Sequence, residues 1–306
     1  MKRTILFIIS VLFVAEIVHG QEYVLPLWPE NEIPNFIYTG EAEIIDTTDF
    51  IRIRNVQTPE ISVYLPSRRN ATGKSVIVIP GGSYRFLAYD TGGTDIAKWL
   101  NSKGIAAFLL KYRLPFASNN VVGHKSPLLD AQRAMRLVRH HAASWELDPQ
   151  QIGVIGLSAG GHLAASLSTL FDYGDKGSQD AVERHSSRPD FSILVYPVIT
   201  SDPAFSHESS FLALLGENPK EELLLRYSIE KQIKKDSPPT FLIHSADDAI
   251  VPVENSIIFF EKLKEKGIPT EMHIYPYGGH GFSLAIGRGH LSTWTDRVID
   301  WIHSLK

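Results

Sequence analysis

The chain reads Gly156-Leu157-Ser158-Ala159-Gly160 near its middle, in the pattern Gly-x-Ser-x-Gly. The apolar run Ile152 to Ile155 precedes this stretch, and the helix-forming run His162 to Leu167 follows it. A serine between a strand and a helix has the context of a nucleophile elbow, where glycines permit a tight turn and the hydroxyl projects into a cleft. The alternative is a Gly-rich turn with an incidental serine, and the flanking elements favour the elbow.

Strand-like and helix-like segments alternate from Ser75 to the C-terminus. Apolar runs predict strands at Ser75–Ile79, Ile105–Tyr112, Ile152–Ile155, Phe191–Tyr196, Thr240–His244 and Thr270–Tyr275. Helical spacing predicts helices at Asp95–Ser102, from Ser126 to about Ala143, after Ser158 to about Leu170, at Glu254–Lys266 and at Leu291–Leu305. This alternation indicates an α/β fold with a mostly parallel central sheet and helices on both faces.

Composition excludes several classes of protein. The chain has 306 residues and a formal net charge of −4. We see no Lys/Arg-dense stretch after the N-terminus, so nucleic acid is not expected as a partner. Because there is no cysteine, disulfides and thiolate chemistry are excluded. The sequence has neither His-x-x-x-His on a helix nor Gly-x-Gly-x-x-Gly after a strand, and we expect no metal and no cofactor.

The first 20 residues have the pattern of a secretory signal peptide. Lys2 and Arg3 precede the apolar run Ile5 to Ala15, and the small residue Gly20 precedes Gln21. The run is shorter than the roughly 20 residues that span a bilayer, so no stable membrane anchor is expected, although an uncleaved anchor is the alternative. A cysteine-free exported chain suggests a bacterial protein that is secreted or periplasmic.

Residues 21–306 are expected to form one domain. The least regular part, about 200–236, is predicted to be a small lid or cap insertion over the cleft, with short helices at Ser210–Leu215 and Glu221–Tyr227. Before the first buried strand, Phe50–Val56 and Ile61–Leu65 are predicted to pair as antiparallel edge strands. The segment Leu25–Pro34 contains three prolines and is predicted to lie extended over the surface.

A serine nucleophile requires a base and an acid that orients the base, and in this type of fold the chain order is Ser, acid, His. Asp247 and Asp248 follow the predicted strand Thr240–His244, and we favour Asp248 as the acid while Asp247 remains the alternative. The base candidate is His280, which lies between Gly279 and Gly281 after a predicted strand. His290 is its rival on a nearby loop, whereas His273 and His162 are interpreted as structural.

Acyl transfer also requires N–H donors for the negative charge that develops on the carbonyl oxygen. One donor is expected to be the N–H of Ala159, directly after the serine. The others are expected from Gly82 and Ser83, in the Gly-rich loop that follows the first buried strand. Two aromatic residues of the same region, Tyr84 and Phe86, could stack on a sugar or aryl group; packing against the cap is the alternative.

These motifs give the chain a clear family resemblance. It resembles the α/β-hydrolase fold serine esterases, and within them the secreted bacterial group described as acetyl xylan or feruloyl esterase-like. The resemblance is carried by Leu27-Trp28-Pro29-Glu30, Pro80-Gly81-Gly82-Ser83-Tyr84, Asp130-Ala131-Gln132-Arg133-Ala134, Gly156 to His162, Asp248 with Val251-Pro252, and Gly279-His280-Gly281-Phe282. Ser83 is a departure, because relatives often carry a third glycine there.

The resemblance implies a role for each matched residue. It implies Ser158 as nucleophile, Asp248 as acid and His280 as base, with the oxyanion donors already named. The substrate that it implies is an ester, either acetylated or feruloylated oligosaccharide such as acetylated xylan. A serine peptidase of the same fold and a non-catalytic binding module of hydrolase fold are the alternatives.

Overall fold

The computed structural model describes residues 23–29 and 31–305, so the predicted signal peptide lies outside the described residues. The strands of the described chain are β1 (Tyr23–Pro26), β2 (Ile44–Asp46), β3 (Arg52–Arg54), β4 (Glu60–Tyr64), β5 (Ser75–Ile79), β6 (Leu87–Ala88), β7 (Ala106–Lys111), β8 (Ile152–Leu157), β9 (Phe191–Val195), β10 (Thr240–Ser245) and β11 (Thr270–Tyr275). The α-helices are α1 (Asp95–Ser102), α2 (Ser126–His141), α3 (Ala159–Thr169), α4 (Glu208–Leu215), α5 (Glu221–Tyr227), α6 (Glu254–Glu265) and α7 (Trp294–Ser304). Among these helices, none has the length and apolar character required to cross a membrane.

The main sheet has eight strands in the order β1-β4-β7-β5-β8-β9-β10-β11. The six strands from β7 to β11 in this order run parallel to one another. Of the eight strands in this sheet, only β4 runs in the opposite direction, since it pairs antiparallel with both β1 and β7. The α/β fold that the alternating pattern predicts is therefore confirmed.

Side chains of the central strands alternate between two apolar cores. In β5, Ile77 and Ile79 belong to the core that also contains residues of α2, α3 and α6. Val76 and Val78 belong to the other core, together with residues of α1 and α7. Successive side chains of a strand point to opposite faces, so helices cover both faces of the sheet. This explains why the strands read as continuous apolar runs.

The N-terminal third differs from the prediction. The predicted antiparallel pair of Phe50–Val56 with Ile61–Leu65 is wrong. Instead, β4 pairs with β1 and β7, whereas β3 pairs with β2 and β6 in a separate three-stranded sheet. Period-2 alternation identifies which face of a strand is buried but carries no information on its partner, which here is a near neighbour for β3 and distant strands for β4.

The segment predicted to lie extended over the surface is only partly so. Its first two residues, Leu25 and Pro26, belong to β1, which is an edge strand of the main sheet. Leu27, next in the chain, is 1% exposed and packs in the first core. An edge strand tolerates proline where a central strand does not. The prolines therefore did not exclude a strand here, and they gave no sign that Leu27 is buried.

Candidate active site

Ser158 lies at the turn from β8 into α3, with φ 56° and ψ −122°. Such a backbone conformation is costly for a residue with a Cβ and persists only where the surroundings enforce it. Here the chain folds back so closely that a Cβ on Gly156 would lie 2.2 Å from the carbonyl oxygen of Gly160. Glycine at position 156 is therefore required, and the turn leaves Ser158 on the wall of a cleft.

Three side chains form a continuous hydrogen-bonded chain at this turn. The Oγ atom of Ser158 lies 2.8 Å from Nε2 of His280. Nδ1 of His280 lies 2.7 Å from Oδ2 of Asp248. A carboxylate only accepts, so Nδ1 carries the hydrogen and Nε2 is free to accept the serine proton. The structure thus brings Ser158, His280 and Asp248 together.

The carboxylate of Asp248 is surrounded by donors. Its Oδ1 accepts hydrogen bonds from the N–H groups of Ile250 and Val251, each at 2.9 Å. Its Oδ2 lies 3.2 Å from Nε2 of the buried His244 as well as facing His280. Burial alone would raise the pKa of Asp248, but the hydrogen bonds from His244 and His280 outweigh it and hold the pKa well below 3.8. Asp248 is therefore ionised at neutral pH.

Asp247 points elsewhere. Its Oδ1 accepts hydrogen bonds from the N–H groups of Gly278 at 2.9 Å and Gly279 at 2.8 Å. These two residues begin the loop that carries His280, and the hydroxyl of Ser245 donates to the carbonyl of Gly279 at 2.8 Å. Asp247 thus fixes the loop and not the imidazole, and the geometry favours Asp248 as the acid.

The other histidines considered from the sequence lie outside this chain of hydrogen bonds. The ring of His290 packs against Tyr275, with the ring centroids 5.4 Å apart. His273 lies 2.7 Å from Glu271 within β11. His162 is 1% exposed and contacts no residue of the Ser158–His280–Asp248 chain through its ring nitrogens.

The predicted oxyanion donors lie beside the serine. A Cβ on Gly81 would lie 2.6 Å from the carbonyl oxygen of Leu157 and 3.0 Å from Cβ of Ser158, so this loop lies directly against the elbow. The N–H groups of Gly82 and Ser83 donate to no other described residue. Ala159 is the first residue of α3, where helical N–H groups have no partner within the helix. Gly82, Ser83 and Ser158 line the same cleft, and the role of these three N–H groups as oxyanion donors stays a prediction.

A cleft of about 440 Å³ opens over Ser158 and His280. Among the described residues that line it, His280 is the one with an Asp, Glu, Lys, Arg or His side chain. Phe86, which was a candidate for substrate contact, lines the wall together with Phe50, and their ring centroids are 6.1 Å apart. The guanidinium carbon of Arg52 lies 3.8 Å from the centroid of the Phe50 ring.

Phe50 was not identified from the sequence. It precedes β3, which pairs with β6, and its ring centroid lies 6.1 Å from that of Phe86, the residue before β6. Two strands of two and three residues leave no pattern from which this pairing could be predicted. Its position thus depends on tertiary structure alone.

Tyr84 does not lie where the sequence interpretation placed it. Its side chain is 1% exposed, does not line the cleft, and has its hydroxyl 2.8 Å from Nδ1 of His162. The hypothesis that Tyr84 contacts the substrate is therefore wrong. The positive φ of both Ser83 (54°) and Tyr84 (58°) turns the Tyr84 side chain back into the protein.

The predicted insertion at 200–236 contains α4 and α5. None of the described residues that line the cleft comes from this range. The insertion lies at the side of the site, where the Arg85 Nε group donates to the Ser209 hydroxyl at 3.2 Å. Burial lowers the pKa of His207, and the neighbouring His280 lowers it further. Its action as a lid stays a prediction.

The site does not have the features of a metal centre. Within residues 23–29 and 31–305, no group of three or more His, Cys, Asp and Glu side chains is arranged to hold a metal ion. The assembled groups are a hydroxyl, an imidazole, a carboxylate and free backbone N–H groups. This set is suited to acyl transfer by a serine.

Comparison with protein families matches residues 61–263 to the family model described as BD-FAE. Endo-1,4-beta-xylanase B of Butyrivibrio fibrisolvens is 39% identical over 259 residues, which cover 85% of this chain and 38% of that protein. Acetylxylan esterase of Xylanibacter ruminicola is 33% identical over 246 residues, which cover 79% of this chain and 47% of that protein. The chain thus spans less than half the length of these two relatives.

A solved structure resembles nearly the whole chain. The acetyl ester-xyloside bifunctional hydrolase from Caldicellulosiruptor lactoaceticus superimposes with a TM-score of 0.80 and 40% sequence identity. The match covers 94% of this chain and 97% of that one. The sugar hydrolase YeeB from Lactococcus lactis shares the fold, with a TM-score of 0.65 and 24% identity.

Proposed function

Because the chain belongs to the BD-FAE family of α/β-hydrolase esterases, we propose that it removes acetyl groups from acetylated xylan or a similar polysaccharide. The observation that carries this proposal is the chain of hydrogen bonds from Ser158 through His280 to Asp248, at 2.8 and 2.7 Å. It supplies a nucleophile with its base, next to unpaired N–H groups. The proposed mechanism uses a nucleophile, a base and an orienting acid.

In the first half of the reaction, Ser158 Oγ attacks the ester carbonyl carbon. Its proton passes to Nε2 of His280, and the carbonyl oxygen becomes negative. The tetrahedral intermediate then collapses, the bond to the sugar oxygen breaks, and His280 gives its proton to that oxygen. The products of this half are the free sugar hydroxyl and an acetyl group bound to Ser158.

Water completes the cycle by the same route. His280 takes a proton from water, whose oxygen attacks the acetyl carbon. The bond to Ser158 Oγ then breaks, His280 returns the proton to Oγ, and acetic acid leaves and ionises to acetate. The ionised Asp248 holds the imidazole in the tautomer with hydrogen on Nδ1 and stabilises the imidazolium that forms twice per turnover. The N–H groups of Gly82, Ser83 and Ala159 stabilise the oxyanion in both halves.

Two observations support a neutral polysaccharide ester as substrate. The cleft is lined by small and aromatic residues, with Phe50 and Phe86 side by side, so a sugar ring has an apolar face to pack against. The names of the similar proteins refer to xylan, acetylxylan and acetyl ester-xyloside. An aryl acid such as ferulate fits the same aromatic wall, so the experiment below includes it.

We also propose that the protein is exported and that residues 1–20 are removed. The basic start, apolar run and small residue described above support this proposal. Edman sequencing or intact mass of the protein recovered outside the cytoplasm of a bacterial host is expected to show Gln21 as the first residue. A full-length chain that retains Met1 and stays in the inner membrane would contradict it.

The function is tested by a hydrolysis series. Purified protein is given acetylated xylan, a feruloylated sugar, aryl acetate, butyrate and octanoate, and an aminoacyl anilide. We expect acetate release from xylan, lowered on the order of 10⁶-fold in Ser158→Ala. Ser168→Ala is the matched control, because this hydroxyl bonds to the Ala164 carbonyl on the same helix, away from the cleft.

The other substrates distinguish the alternatives. Preferential release of ferulate would keep the mechanism and change the acyl group. Cleavage of the anilide without ester hydrolysis would indicate a peptidase. No turnover of any substrate by the folded protein would contradict the esterase and favour a binding module.

A further inference from the structure

A buried hydrogen bond joins the oxyanion loop to the helix that follows the nucleophile. The hydroxyl of Tyr84 lies 2.8 Å from Nδ1 of His162, and each side chain is 1% exposed. The two rings meet edge to face, with centroids 5.7 Å apart. Neither residue touches the Ser158–His280–Asp248 chain through these groups, so the mechanism above leaves this contact unexplained.

The direction of the hydrogen bond follows from the second nitrogen of His162. Nε2 lies 2.8 Å from the backbone carbonyl oxygen of Tyr227, which can only accept. Nε2 therefore carries the hydrogen, and Nδ1 accepts from the Tyr84 hydroxyl. Burial lowers the pKa of His162 to about 4, so Nδ1 stays an acceptor at neutral pH.

The loop needs such a contact because its backbone is unfavourable. Ser83 and Tyr84 have φ of 54° and 58°, in the left-handed region that residues with a Cβ rarely adopt. Two consecutive residues of this kind are held only if the surrounding structure fixes them. The Tyr84 side chain is the part of the loop that is anchored in the core.

His162, the other partner in this hydrogen bond, lies close to the nucleophile Ser158. His162 lies one turn after the nucleophile on α3, and its N–H donates to the Ser158 carbonyl at 3.2 Å. Gly82 and Ser83 therefore sit at one end of the Tyr84–His162 bond, and Ala159 sits at the other. This bond joins the two halves of the proposed oxyanion hole.

We propose that Tyr84 and His162 are positioning residues, whose buried hydrogen bond fixes the N–H groups of Gly82 and Ser83 against that of Ala159. The proposal rests on the esterase function proposed above. Removing one oxyanion donor costs about 10²–10³ in kcat. A donor that is displaced but present costs part of this, and it affects the transition state more than the bound substrate.

The test is Tyr84→Phe, which removes only the hydroxyl. With aryl acetate we expect kcat to fall about 10- to 100-fold while KM changes less than about 3-fold. The affinity for an aryl boronic acid, which forms a tetrahedral adduct on Ser158, is expected to fall by the same factor as kcat. Tyr275→Phe is the matched control, because it removes the hydroxyl of a largely buried tyrosine, 3.1 Å from Thr293 Oγ1, and Tyr275 does not line the cleft.

A purely structural effect is separated by counting active sites. Each variant is titrated with a p-nitrophenyl phosphonate that labels Ser158 stoichiometrically, and kcat is expressed per labelled site. If the Tyr84→Phe loss disappears after this correction, or if boronate affinity is unchanged, the positioning role is overturned. A wild-type protein that neither hydrolyses esters nor reacts with the phosphonate would instead refute the proposed function.

A double variant tests whether the two residues act through one bond. His162→Gln is combined with Tyr84→Phe, and we expect the double variant to lose no more kcat than the worse single variant. Multiplied losses would mean that Tyr84 and His162 act independently, which would overturn the proposal.

Discussion

Nε2 of His244 lies 3.2 Å from Oδ2 of Asp248, the same carboxylate oxygen that faces His280. Nε2 also lies 2.9 Å from the carbonyl oxygen of Val251, and Nδ1 lies 2.8 Å from the Ser256 hydroxyl. Since the carbonyl and carboxylate oxygens can only accept, Nε2 of His244 carries a hydrogen that is shared between the Val251 carbonyl and Asp248. Asp248 thus faces four donors, namely His244, His280 and the N–H groups of Ile250 and Val251, and this distinguishes it from Asp247.

Replacing Asp248 by asparagine is expected to lower kcat about 10⁴-fold, because an amide cannot favour the His280 tautomer that accepts the serine proton. The variant keeps the shape of the side chain. Steady-state hydrolysis of aryl acetate at pH 7 measures the loss, and circular dichroism checks the fold.

Asp247→Asn is the matched control one residue away. Its amide oxygen can still accept from the N–H groups of Gly278 and Gly279, so we expect kcat to fall less than about 5-fold. A severe loss in Asp247→Asn together with a mild one in Asp248→Asn would reverse the assignment of the acid.

The sequence predicted the groups that follow strands more reliably than those that depend on packing. Ser158, Asp248 and His280 each follow a strand of the parallel sheet, and parallel strands bring their carboxyl ends to one edge. The sequence favoured Asp248 but could not exclude Asp247, because adjacent residues differ mainly in side-chain direction. The structure separates them, because Asp247 accepts from the N–H groups of Gly278 and Gly279 whereas Asp248 faces His280.

A Cβ on Gly81 is expected to displace the oxyanion loop from the elbow. In Gly81→Ala the new atom would lie 2.6 Å from the Leu157 carbonyl oxygen, which is backbone and cannot yield without moving the turn at Ser158. We expect kcat for aryl acetate to fall at least about 100-fold, comparable with loss of an oxyanion donor.

Gly177→Ala is the control for this prediction. Its Cβ would approach only the Asp175 carboxylate, at 3.4 Å, in an exposed loop. We expect its activity to equal that of the wild type. Wild-type kcat in Gly81→Ala would show that the loop does not need its close contact with the elbow.

The sequence did not show which aromatic side chain lines the cleft. Tyr84 and Phe86 are two positions apart, and from the sequence both were equal candidates for lining the cleft. The left-handed backbone at Tyr84 turns its ring into the core, while Phe86 remains on the wall beside Phe50. Backbone reversals at non-glycine residues depend on tertiary constraints, so the sequence could not show which ring faces the substrate.

Phe86→Ala is expected to weaken binding of the sugar more than it slows the chemical step. Loss of one aromatic wall should lower kcat/KM for acetylated xylo-oligosaccharide about 10-fold, mainly through KM, because stacking and apolar burial are lost. Ethyl acetate, which has no ring, should be affected less than about 3-fold. Phe50→Ala should act in the same direction, and equal losses for both substrates would place the sugar elsewhere.

The buried His162 is expected to make folding stability depend on pH. Its pKa is about 4 in the folded protein and 6.5 in an ordinary environment. Between these values the unfolded chain binds a proton that the folded protein does not, so acidification favours unfolding. Each pH unit in this window removes about 1.4 kcal/mol from the free energy of unfolding, or about 3 kcal/mol in total.

Urea unfolding of the wild type and of His162→Gln at pH 7, 6, 5 and 4.5 measures this dependence. The Gln variant is expected to be less stable at pH 7, because it loses the contacts with Tyr84 and Tyr227. The difference between the two proteins should then shrink by about 2 kcal/mol or more toward pH 4.5, since only the wild type carries this titrating group. His303→Gln, at an exposed position of α7, should run parallel to the wild type. A constant difference between His162→Gln and the wild type would mean that His162 binds its proton equally in both states, and its role as a neutral acceptor for Tyr84 would then be lost.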